Sequence, residues 1–209
     1  MVLGPKQLLK LVRTKKLVEN LSERELTNPE GAGFDLRLGE VYKISGSAFL
    51  GETERKTPSV ELVAKYDGEY ENVNQPLKKQ RDRVNKREAK LQKVLKKGIV
   101  SKKIIIKPND FYLVKTIESF NVPTNLTVNF KPRTTTFRSG LFLRTGNVAP
   151  GYKGQVTFAL KNEGPCTVTI EMGARFVHAQ FEEVKGGGSL YRGQWQGGRV
   201  TARKKEKQV

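Results

Sequence analysis

The sequence has little of the chemistry that holds metals or disulfides. One Cys and one His, Cys166 and His178, stand among its 209 residues. A single Cys excludes an internal disulfide framework, and one Cys with one His is too few for a zinc site built within one chain. The zinc-dependent nucleobase deaminases, which need three such ligands, are therefore excluded, and we expect no metal-ligating residues and no zinc.

Long hydrophobic runs are also missing. No apolar stretch approaches the ~18 residues that a membrane-spanning helix needs, and the N-terminus, MVLGPK, lacks the apolar region of a secretory signal. We therefore expect no membrane partner and a cytoplasmic location. Hydrophobic residues make up 36% of the chain, which is enough for one core, and the length predicts one domain with an insertion.

Acidic residues are few, and the positive excess is concentrated. The chain carries 39 Lys and Arg against 21 Asp and Glu, a formal charge of +18, of which 78–97 hold +8 and 199–209 hold +4. Such clusters are typical of a polyanion partner, which could be RNA, DNA or an anionic surface, although a Lys-rich helix can also be a solvated face. The candidate nucleic-acid contacts are Lys78, Lys79, Arg81, Arg83, Lys86, Arg87, Lys90, Lys93, Lys96, Lys97, Arg203, Lys204 and Lys205.

Hydrophobic periodicity divides the chain into helical and extended parts. Apolar spacing predicts a helix over 5–21, with a break near Lys15 and Lys16, and a basic helix over 77–97. Alternation predicts strands at 34–38 and 41–44. From 99 onward, short apolar runs separated by turn residues, including 126–130, 141–144, 155–160, 166–170 and 175–183, predict an all-β sandwich or barrel.

The domain boundaries follow from these patterns. We expect one β domain over 1–198, with a basic helical insertion at about 65–98 and a flexible basic tail over 199–209. The three glycines at 186–188 read as a mobile linker to the C-terminal part.

One short segment has the composition of a phosphate site. Residues 131–140, KPRTTTFRSG, combine Arg133 and Arg138 with four hydroxyl side chains, and such donors suit phosphate oxygens. Other interpretations stay open: Arg133 could be an ion-pair partner in the barrel, and Thr134–Thr136 could simply be strand formers.

The order of motifs resembles the dUTPase and dCTP deaminase superfamily, in particular its archaeal branch. The similarity spans most of the chain. GAGFDLRLG at 31–39 is similar to the first motif, and PRTT at 132–135 to the Pro-Arg-Ser-Ser/Thr phosphate motif. The spacing of eleven positions from Gly140 to Gly151 is similar to the archaeal dUTPase pattern. The strand from Gly173 to Phe181 stands in the place of the fourth motif. YRGQWQGG at 191–198 is similar to the segment that closes over the nucleotide.

The resemblance implies a mainly β fold, a dUTPase-like distorted β-barrel of jelly-roll type with an N-terminal helix. It also implies a homotrimer with sites between subunits. The ligand would be a pyrimidine deoxynucleoside triphosphate carrying Mg²⁺ on its phosphates. The residues carried over as nucleotide-binding are Arg133, Thr134, Thr135, Arg138, Asn147, Val148, Tyr152, Arg175, Tyr191 and Gln196. Asp35 is expected to be structural, at the barrel rim.

The sequence departs from the superfamily where catalysis would occur. Ala149 stands at the position of the dUTPase Asp, and Ala159 at that of the deaminase Glu, while His178 stands at the fourth-motif Gln. An Ala side chain cannot accept a proton, and losing a positioned general base typically costs ~10²–10⁴-fold in rate. The nearby carboxylates are Asp110, Glu118, Glu163 and Glu171. Of these, Glu163 and Glu171, in or beside the 164–173 turns, are the ones considered as replacements, so the catalytic residues stay unknown.

Three functions remain open at this point. The first is a dUTP diphosphatase or dCTP deaminase that uses unusual residues. The second is a catalytically inactive barrel that binds RNA, a ribonucleoprotein such as the ribosome, or DNA through its basic segments. The third is a regulator that binds a nucleotide without turnover.

Overall fold

The computed structural model describes residues 1–68, 101–202 and 204–207. Its helices are α1 (Pro5–Lys15), α2 (Glu23–Thr27) and α3 (Thr134–Arg138). Its strands are β1 (Val18–Glu19), β2 (Phe34–Ser45), β3 (Phe49–Leu50), β4 (Glu54–Lys56), β5 (Ser59–Lys65), β6 (Lys103–Ile106), β7 (Phe111–Asn121), β8 (Leu126–Pro132), β9 (Leu141–Arg144), β10 (Asn147–Val148), β11 (Lys153–Asn162), β12 (Val168–Glu171), β13 (Arg175–Glu183) and β14 (Glu206–Lys207).

One curled antiparallel sheet dominates the structure and confirms the mainly β fold. Its strand order is β10-β8-β13-β2-β7-β11-β9, and β1 and β5 pair with β7 and β2. Two small sheets complete the fold: β6 pairs with β12, and β3, β4 and β14 form a three-stranded sheet. Strands β9 and β13 begin and end where the alternation of apolar residues predicted.

The inner face of the large sheet holds the core, because alternate residues of the long strands point inward. Strand β11 shows the pattern: Val156, Phe158, Leu160 and Asn162 are buried, and the residues between them are partly exposed. Aromatic rings fill the centre, with Phe120 5.7 Å from Phe130 and Phe130 4.9 Å from Phe158. These centroid distances are typical of favourable aromatic pairs.

The N-terminal helix is shorter than predicted. Helix α1 ends where Lys16 adopts a left-handed conformation, with φ of 52°, and its N–H bonds back to the carbonyls of Leu11 and Val12. The predicted helix over 17–21 is therefore wrong. Val18 instead pairs with Phe120 of β7 in strand β1, because the apolar residues here meet a sheet edge.

The two strands predicted at 34–38 and 41–44 are one strand, β2. Gly39 lies between them, where the register against β7 shifts between Leu38 and Glu40. A β-carbon at Gly39 would stand 2.9 Å from the carbonyl oxygen of Thr116, so only glycine lets the two strands approach here.

Two segments differ from the predicted mobile linker and free tail. Gly188 donates to the Thr124 carbonyl, so the linker at 186–188 is a turn held against the barrel. Beyond 198, Ala202 is fully buried, Thr201 donates to the Pro58 carbonyl, and β14 pairs with β4. The charge pattern missed this packing because small and apolar residues alternate with the basic ones.

Some sequence predictions lie outside the described residues. These are the basic helix over 77–97, most of the insertion at 65–98, and the candidate nucleic-acid contacts from Lys78 to Lys97 together with Arg203. Lys204 is exposed, and Lys205 lies 3.6 Å from Glu54.

Candidate functional site

Asp35, near the start of β2, lies at the centre of a cluster formed by two arginines and a histidine. It is 5% exposed, and its carboxylate oxygens lie 2.8 Å from Arg133 Nε, 3.1 Å from Arg175 Nη1 and 3.0 Å from His178 Nδ1. Burial acts to raise the pKa of Asp35. The hydrogen bond with His178 and the charges of the two arginines outweigh it, so the pKa is lowered.

A second buried carboxylate orients Asp35. Glu25, fully buried on α2, accepts a hydrogen bond from the Asp35 backbone N–H at 3.0 Å and pairs with Arg24 at 2.6 Å. Helix α2 is held by its N-cap, since Ser22 Oγ accepts from the Glu25 N–H at 3.4 Å. Because Glu25 fixes the Asp35 backbone, it also fixes the position of the Arg133 and Arg175 side chains.

Arg133 and Arg175 face a cavity of about 260 Å³, here named the cationic pocket. Its wall also includes Thr135, Thr136, Ser139 and Glu171. Thr136 donates its hydroxyl to the Phe176 carbonyl and Ser139 donates to the Thr135 carbonyl, both at 2.8 Å. Because these two hydroxyls already donate to carbonyls, the Arg133 and Arg175 guanidinium groups and the Thr135 hydroxyl are the donors that suit an anion with several oxygens.

The segment 134–138 is helical, so the interpretation of its threonines as strand formers is wrong. Helix α3 turns the chain between β8 and β9 and leaves Thr134, Thr135 and Arg138 exposed. Arg138 is not among the residues that line the cationic pocket. The interpretation of Arg133 as an ion-pair partner is confirmed by its contact with Asp35, and because Arg133 also lines the cavity its role as a phosphate ligand stays a prediction.

A second and larger cavity, of about 540 Å³, is here named the aromatic cleft. The predicted residues Asn147, Val148, Ala149, Tyr152 and Tyr191 line it. The cleft also includes residues that the sequence analysis did not select, among them Thr57, Phe111, Phe130, Thr157, Arg199 and Val200. Trp195, which belongs to the predicted closing motif, lines it as well.

The C-terminal segment, residues 190–202, forms one wall of this cleft. Tyr191 donates its N–H to the Pro150 carbonyl at 2.7 Å, and its ring packs edge-on against Tyr152 with 5.3 Å between centroids. Gln196 does not line the cleft. It holds the segment in place, accepting from the Lys153 N–H at 2.9 Å and donating to the Gly151 carbonyl at 3.2 Å.

Tyr152 is the best packed polar group of the cleft. Its hydroxyl donates to the Gln155 carbonyl at 2.5 Å. Burial, together with the neighbouring Tyr191, raises the pKa of Tyr152 to about 12. It therefore stays neutral throughout the physiological range and serves as a packing and hydrogen-bonding group.

The structure does not bring all the predicted nucleotide-binding residues together within one chain. Arg133, Thr135 and Arg175 belong to the cationic pocket, whereas Asn147, Val148, Tyr152 and Tyr191 belong to the aromatic cleft. Two core rings lie between the cavities: Phe158 lines the cleft, and Phe176, 6.0 Å away, lines the pocket.

Carboxylates are distributed just as unevenly. Of the residues described, those that line the aromatic cleft include no Asp or Glu. Glu171 lines the cationic pocket, and Glu163 lies 3.9 Å from both Arg144 and Lys161. Within 1–68, 101–202 and 204–207, no three His, Cys, Asp or Glu side chains are grouped so that they could hold a metal ion.

His178 belongs to the Asp35 cluster and lines neither cavity. Its Nε2 lies close to the backbone of Gly33, where a β-carbon would stand 2.5 Å from it. This arrangement agrees with the interpretation of His178 as a hydrogen-bonded strand residue.

No helix in the described ranges is long and apolar enough to cross a membrane.

Comparisons with known proteins agree with this architecture. The chain is 26% identical over 182 residues to a probable deoxyuridine 5'-triphosphate nucleotidohydrolase of Methanothermobacter thermautotrophicus, covering 87% of this chain and 94% of the relative. It is 33% identical over 105 residues to a dCTP deaminase of Thermococcus kodakarensis, covering 50% of this chain and 68% of the relative. Against the dCTP deaminase of Pyrobaculum islandicum the alignment covers 46% of this chain and 54% of the relative.

A solved structure supports the same fold. The dCTP deaminase from Agrobacterium tumefaciens superimposes with a TM-score of 0.56 at 13% identity, over 86% of this chain and 48% of the longer one. The family described as dCTP deaminase-like matches residues 2–184. The match spans most of the chain, from the residues before α1 to the end of β13, and the chain therefore belongs to the dCTP deaminase-like family.

Proposed function

We propose that the protein binds a pyrimidine deoxynucleoside triphosphate, dUTP or dCTP, with its phosphates on the cationic pocket. The observation that carries the proposal is the pair Arg133 and Arg175, both held by Asp35 and both lining one cavity with hydroxyl side chains. Charge-assisted hydrogen bonds from guanidinium groups are the strong contacts available to phosphate. The names of the archaeal relatives point to the same two nucleotides.

The separation of the two cavities supports a site shared between copies of the chain. One chain offers its phosphate-binding groups on one side of the Phe158 and Phe176 rings and its aromatic cleft on the other. A homotrimer, as the resemblance implies, would pair the cationic pocket of one copy with the aromatic cleft of another. The base would then lie in the cleft near Asn147 and Tyr191.

Mg²⁺ would arrive with the nucleotide. Three phosphates offer the oxygen ligands that Mg²⁺ prefers, and the ion keeps several waters when it binds in this way. The protein's part is then to neutralise the remaining phosphate charge with Arg133 and Arg175. Among the described residues that line the same pocket, Glu171 is the carboxylate that could meet a water of the ion.

The chemistry of the cleft favours binding over turnover. Ala149 lines the cleft and Ala159 follows on β11, and neither side chain can take a proton from water. A nucleotide-binding regulator is therefore the form of the proposal that these two residues support. Glu163 and Glu171 lie outside the cleft.

The test is a titration of the purified protein with dUTP and with dCTP in the presence of Mg²⁺. We expect binding by calorimetry, with pyrophosphate and ammonia released far more slowly than an enzyme would release them. Release at an enzyme-like rate would contradict the inference of weak turnover and keep the binding proposal. Absence of binding by folded protein would overturn the proposal itself.

Restoring the carboxylates sharpens this test. Ala149→Asp should raise pyrophosphate release from dUTP, and Ala159→Glu should raise ammonia release from dCTP, each by ~10²-fold if one missing base limits the rate. Ala149→Asn and Ala159→Gln are matched controls, because they add similar volume without a base. An equal response of the amide and acid variants would show that proton transfer is not what the site lacks.

A second candidate function rests on the charge of the chain. Residues 78–97 and 199–209 together hold +12 of the formal +18, so a nucleic acid remains a proposed partner for these segments. Binding to phosphates along a backbone should weaken steeply with salt. Binding of dUTP in a cavity should depend instead on Mg²⁺ and on the base, so one salt series with each ligand separates the two.

A further inference from the structure

One buried hydroxyl in the described residues has no hydrogen-bond partner. It is Oγ1 of Thr157, on β11. The neighbouring Thr116 differs: its hydroxyl donates to the Glu118 carbonyl at 2.8 Å and accepts from the Val156 N–H at 3.2 Å. Buried polar groups in folded proteins nearly always find a partner, so a group without one calls for a reason.

Thr157 lies on the wall of the aromatic cleft. The register between β11 and β7 shifts between Gln155 and Thr157, directly before it. Two residues further along the strand is Ala159, where the resemblance implies a carboxylate. The unpaired hydroxyl is therefore two positions along β11 from the place where the resemblance implies a carboxylate, although Ala159 itself does not line the cleft.

Several other polar side chains of the cleft are already engaged. Tyr152 donates to the Gln155 carbonyl, and the Gln155 side chain donates to the Thr116 carbonyl at 2.8 Å. The Tyr191 hydroxyl accepts from the Trp195 N–H at 3.2 Å. Arg199 pairs with Glu206. Among the described residues of the wall, Thr157 is thus the buried group whose hydrogen-bonding capacity is unused.

We propose that the Thr157 hydroxyl hydrogen-bonds the polar edge of a pyrimidine base in the aromatic cleft. This inference rests on the proposed function and adds a residue that would contact the base of the bound nucleotide. Rotation about χ1 exchanges the hydroxyl and methyl positions among staggered wells, so the hydroxyl can turn from the interior to the cleft. A hydroxyl both donates and accepts, so it suits the carbonyl of uracil as well as the amino group of cytosine.

The test removes the hydroxyl and keeps the shape. Thr157→Val should raise the Kd for dUTP and for dCTP about tenfold, the change expected when one hydrogen bond to the ligand is lost. Thr157→Ser keeps a hydroxyl and should bind within about threefold of the unsubstituted protein. Binding is measured by calorimetry with Mg²⁺, using the α,β-imido analogue of dUTP to prevent hydrolysis, and with an ammonia assay beside the dCTP titration because an imido bridge does not prevent deamination.

Stability supplies an independent readout. Because Thr157 Oγ1 has no partner in the free protein, Thr157→Val should unfold at the same temperature or higher. Thr116→Val is the matched control, and it should unfold at a lower temperature because it breaks two hydrogen bonds. A lower unfolding temperature for Thr157→Val would show that the hydroxyl stabilises the free fold, and that result overturns the inference.

The outcomes separate this inference from the proposal beneath it. If the unsubstituted protein binds neither nucleotide, both fail. If it binds and Thr157→Val binds equally well, only the role of Thr157 fails. A tenfold loss in Thr157→Val, rescued by Thr157→Ser and without loss of thermal stability, supports both.

Discussion

The cationic pocket and the aromatic cleft are built by opposite means. The pocket depends on side-chain charge: Asp35 holds Arg133, Arg175 and His178, and Glu25 holds Asp35. The cleft depends on backbone and apolar contacts, with the C-terminal segment joined to the 150–153 turn by main-chain hydrogen bonds and by packed rings. One fold can therefore present a pocket that is held by charged side chains and a cleft that is held by backbone hydrogen bonds and packed rings.

The most damaging way to break this comparison is to remove the carboxylate that organises the pocket. Asp35→Asn keeps the size of the side chain but leaves three cationic or polar partners without their counter-charge. Removing one member of a buried charge cluster typically costs ~3 kcal/mol or more in the free energy of unfolding. We expect a loss of that size in urea unfolding, together with weaker binding of the imido analogue of dUTP.

A surface ion pair gives the control for that measurement. Lys16 and Glu19 lie 3.8 Å apart with both side chains mostly exposed. Glu19→Gln should change the free energy of unfolding by about 0.5 kcal/mol or less. Equal losses in Asp35→Asn and Glu19→Gln would contradict the central role of Asp35.

The contrast also shows how far the sequence alone could predict the site. Local patterns were enough for β9, β13 and the segment that carries Arg133, because each is contiguous. The Asp35 cluster was not predictable in the same way, since it depends on β13 pairing with β2, where His178 stands opposite Asp35 at a separation of 143 residues. The resemblance placed these residues in motifs but gave no partner for Arg133.

At the C-terminal end, by contrast, the sequence predicted less structure than is present. A basic composition predicted a free tail, yet Ala202 is buried and Arg199 lines the cleft. The signal that could have found this packing is the alternation of Val200 and Ala202 with polar residues. It is only three residues long, too short for a periodicity argument, and its partners Thr57 and Pro58 lie more than 140 positions away.

The pH dependence of stability extends the comparison to a third buried carboxylate, Glu118, which has fewer cationic partners than Asp35. Glu118 is fully buried and pairs with Arg37 at 2.7 Å. Burial raises the pKa of Glu118 to about 7, and the charge and hydrogen bonds of Arg37 oppose that rise without cancelling it. Asp35, with three partners, has its pKa lowered instead.

The two shifts have opposite consequences for stability. Between the ordinary Glu pKa and pH 7, the folded state holds a proton on Glu118 that the unfolded state has lost, so stability falls as pH rises through that window. Asp35 acts the other way, and its contribution, fully present above the ordinary Asp pKa, is lost as pH falls through the lowered value. We expect the free energy of unfolding to drop by about 3 kcal/mol between pH 4.5 and 7.5.

Urea unfolding across this pH range shows whether the free energy of unfolding falls as expected, and two variants show which carboxylate is responsible. Glu118→Gln should flatten the decline, because the group that loses the proton is gone. Asp35→Asn should leave the decline in place while lowering stability at every pH above 4. A rise in stability of the unsubstituted protein from pH 4.5 to 7.5 would show that Arg37 keeps Glu118 ionised throughout.

The smallest expected effect on stability comes from a substitution beside the aromatic cleft, at Gly154. A β-carbon there would stand 2.5 Å from the Gly198 nitrogen and 2.6 Å from the Gly197 carbonyl carbon, and the φ of +131° disfavours any other residue. Gly154→Ala should therefore displace the C-terminal segment at a cost of about 1–2 kcal/mol. Gly46→Ala is the matched control, because Gly46 also has a positive φ, +81°, but nothing lies within 4 Å of its β-carbon position.

The sequence provides a direct reporter for this displacement. Its single Trp, Trp195, lies on the cleft wall between Arg55 and Arg199, 5.5 and 6.0 Å from their guanidinium carbons. In Gly154→Ala we expect Trp195 fluorescence to shift to the red and trypsin to cut after Arg199 faster. The Gly46→Ala spectrum should match that of the unsubstituted protein.

Because Asp35 and its arginines lie across the core, Gly154→Ala should leave phosphate binding in the cationic pocket nearly unchanged. A parallel loss of phosphate binding would show that the two cavities are coupled and not independently supported.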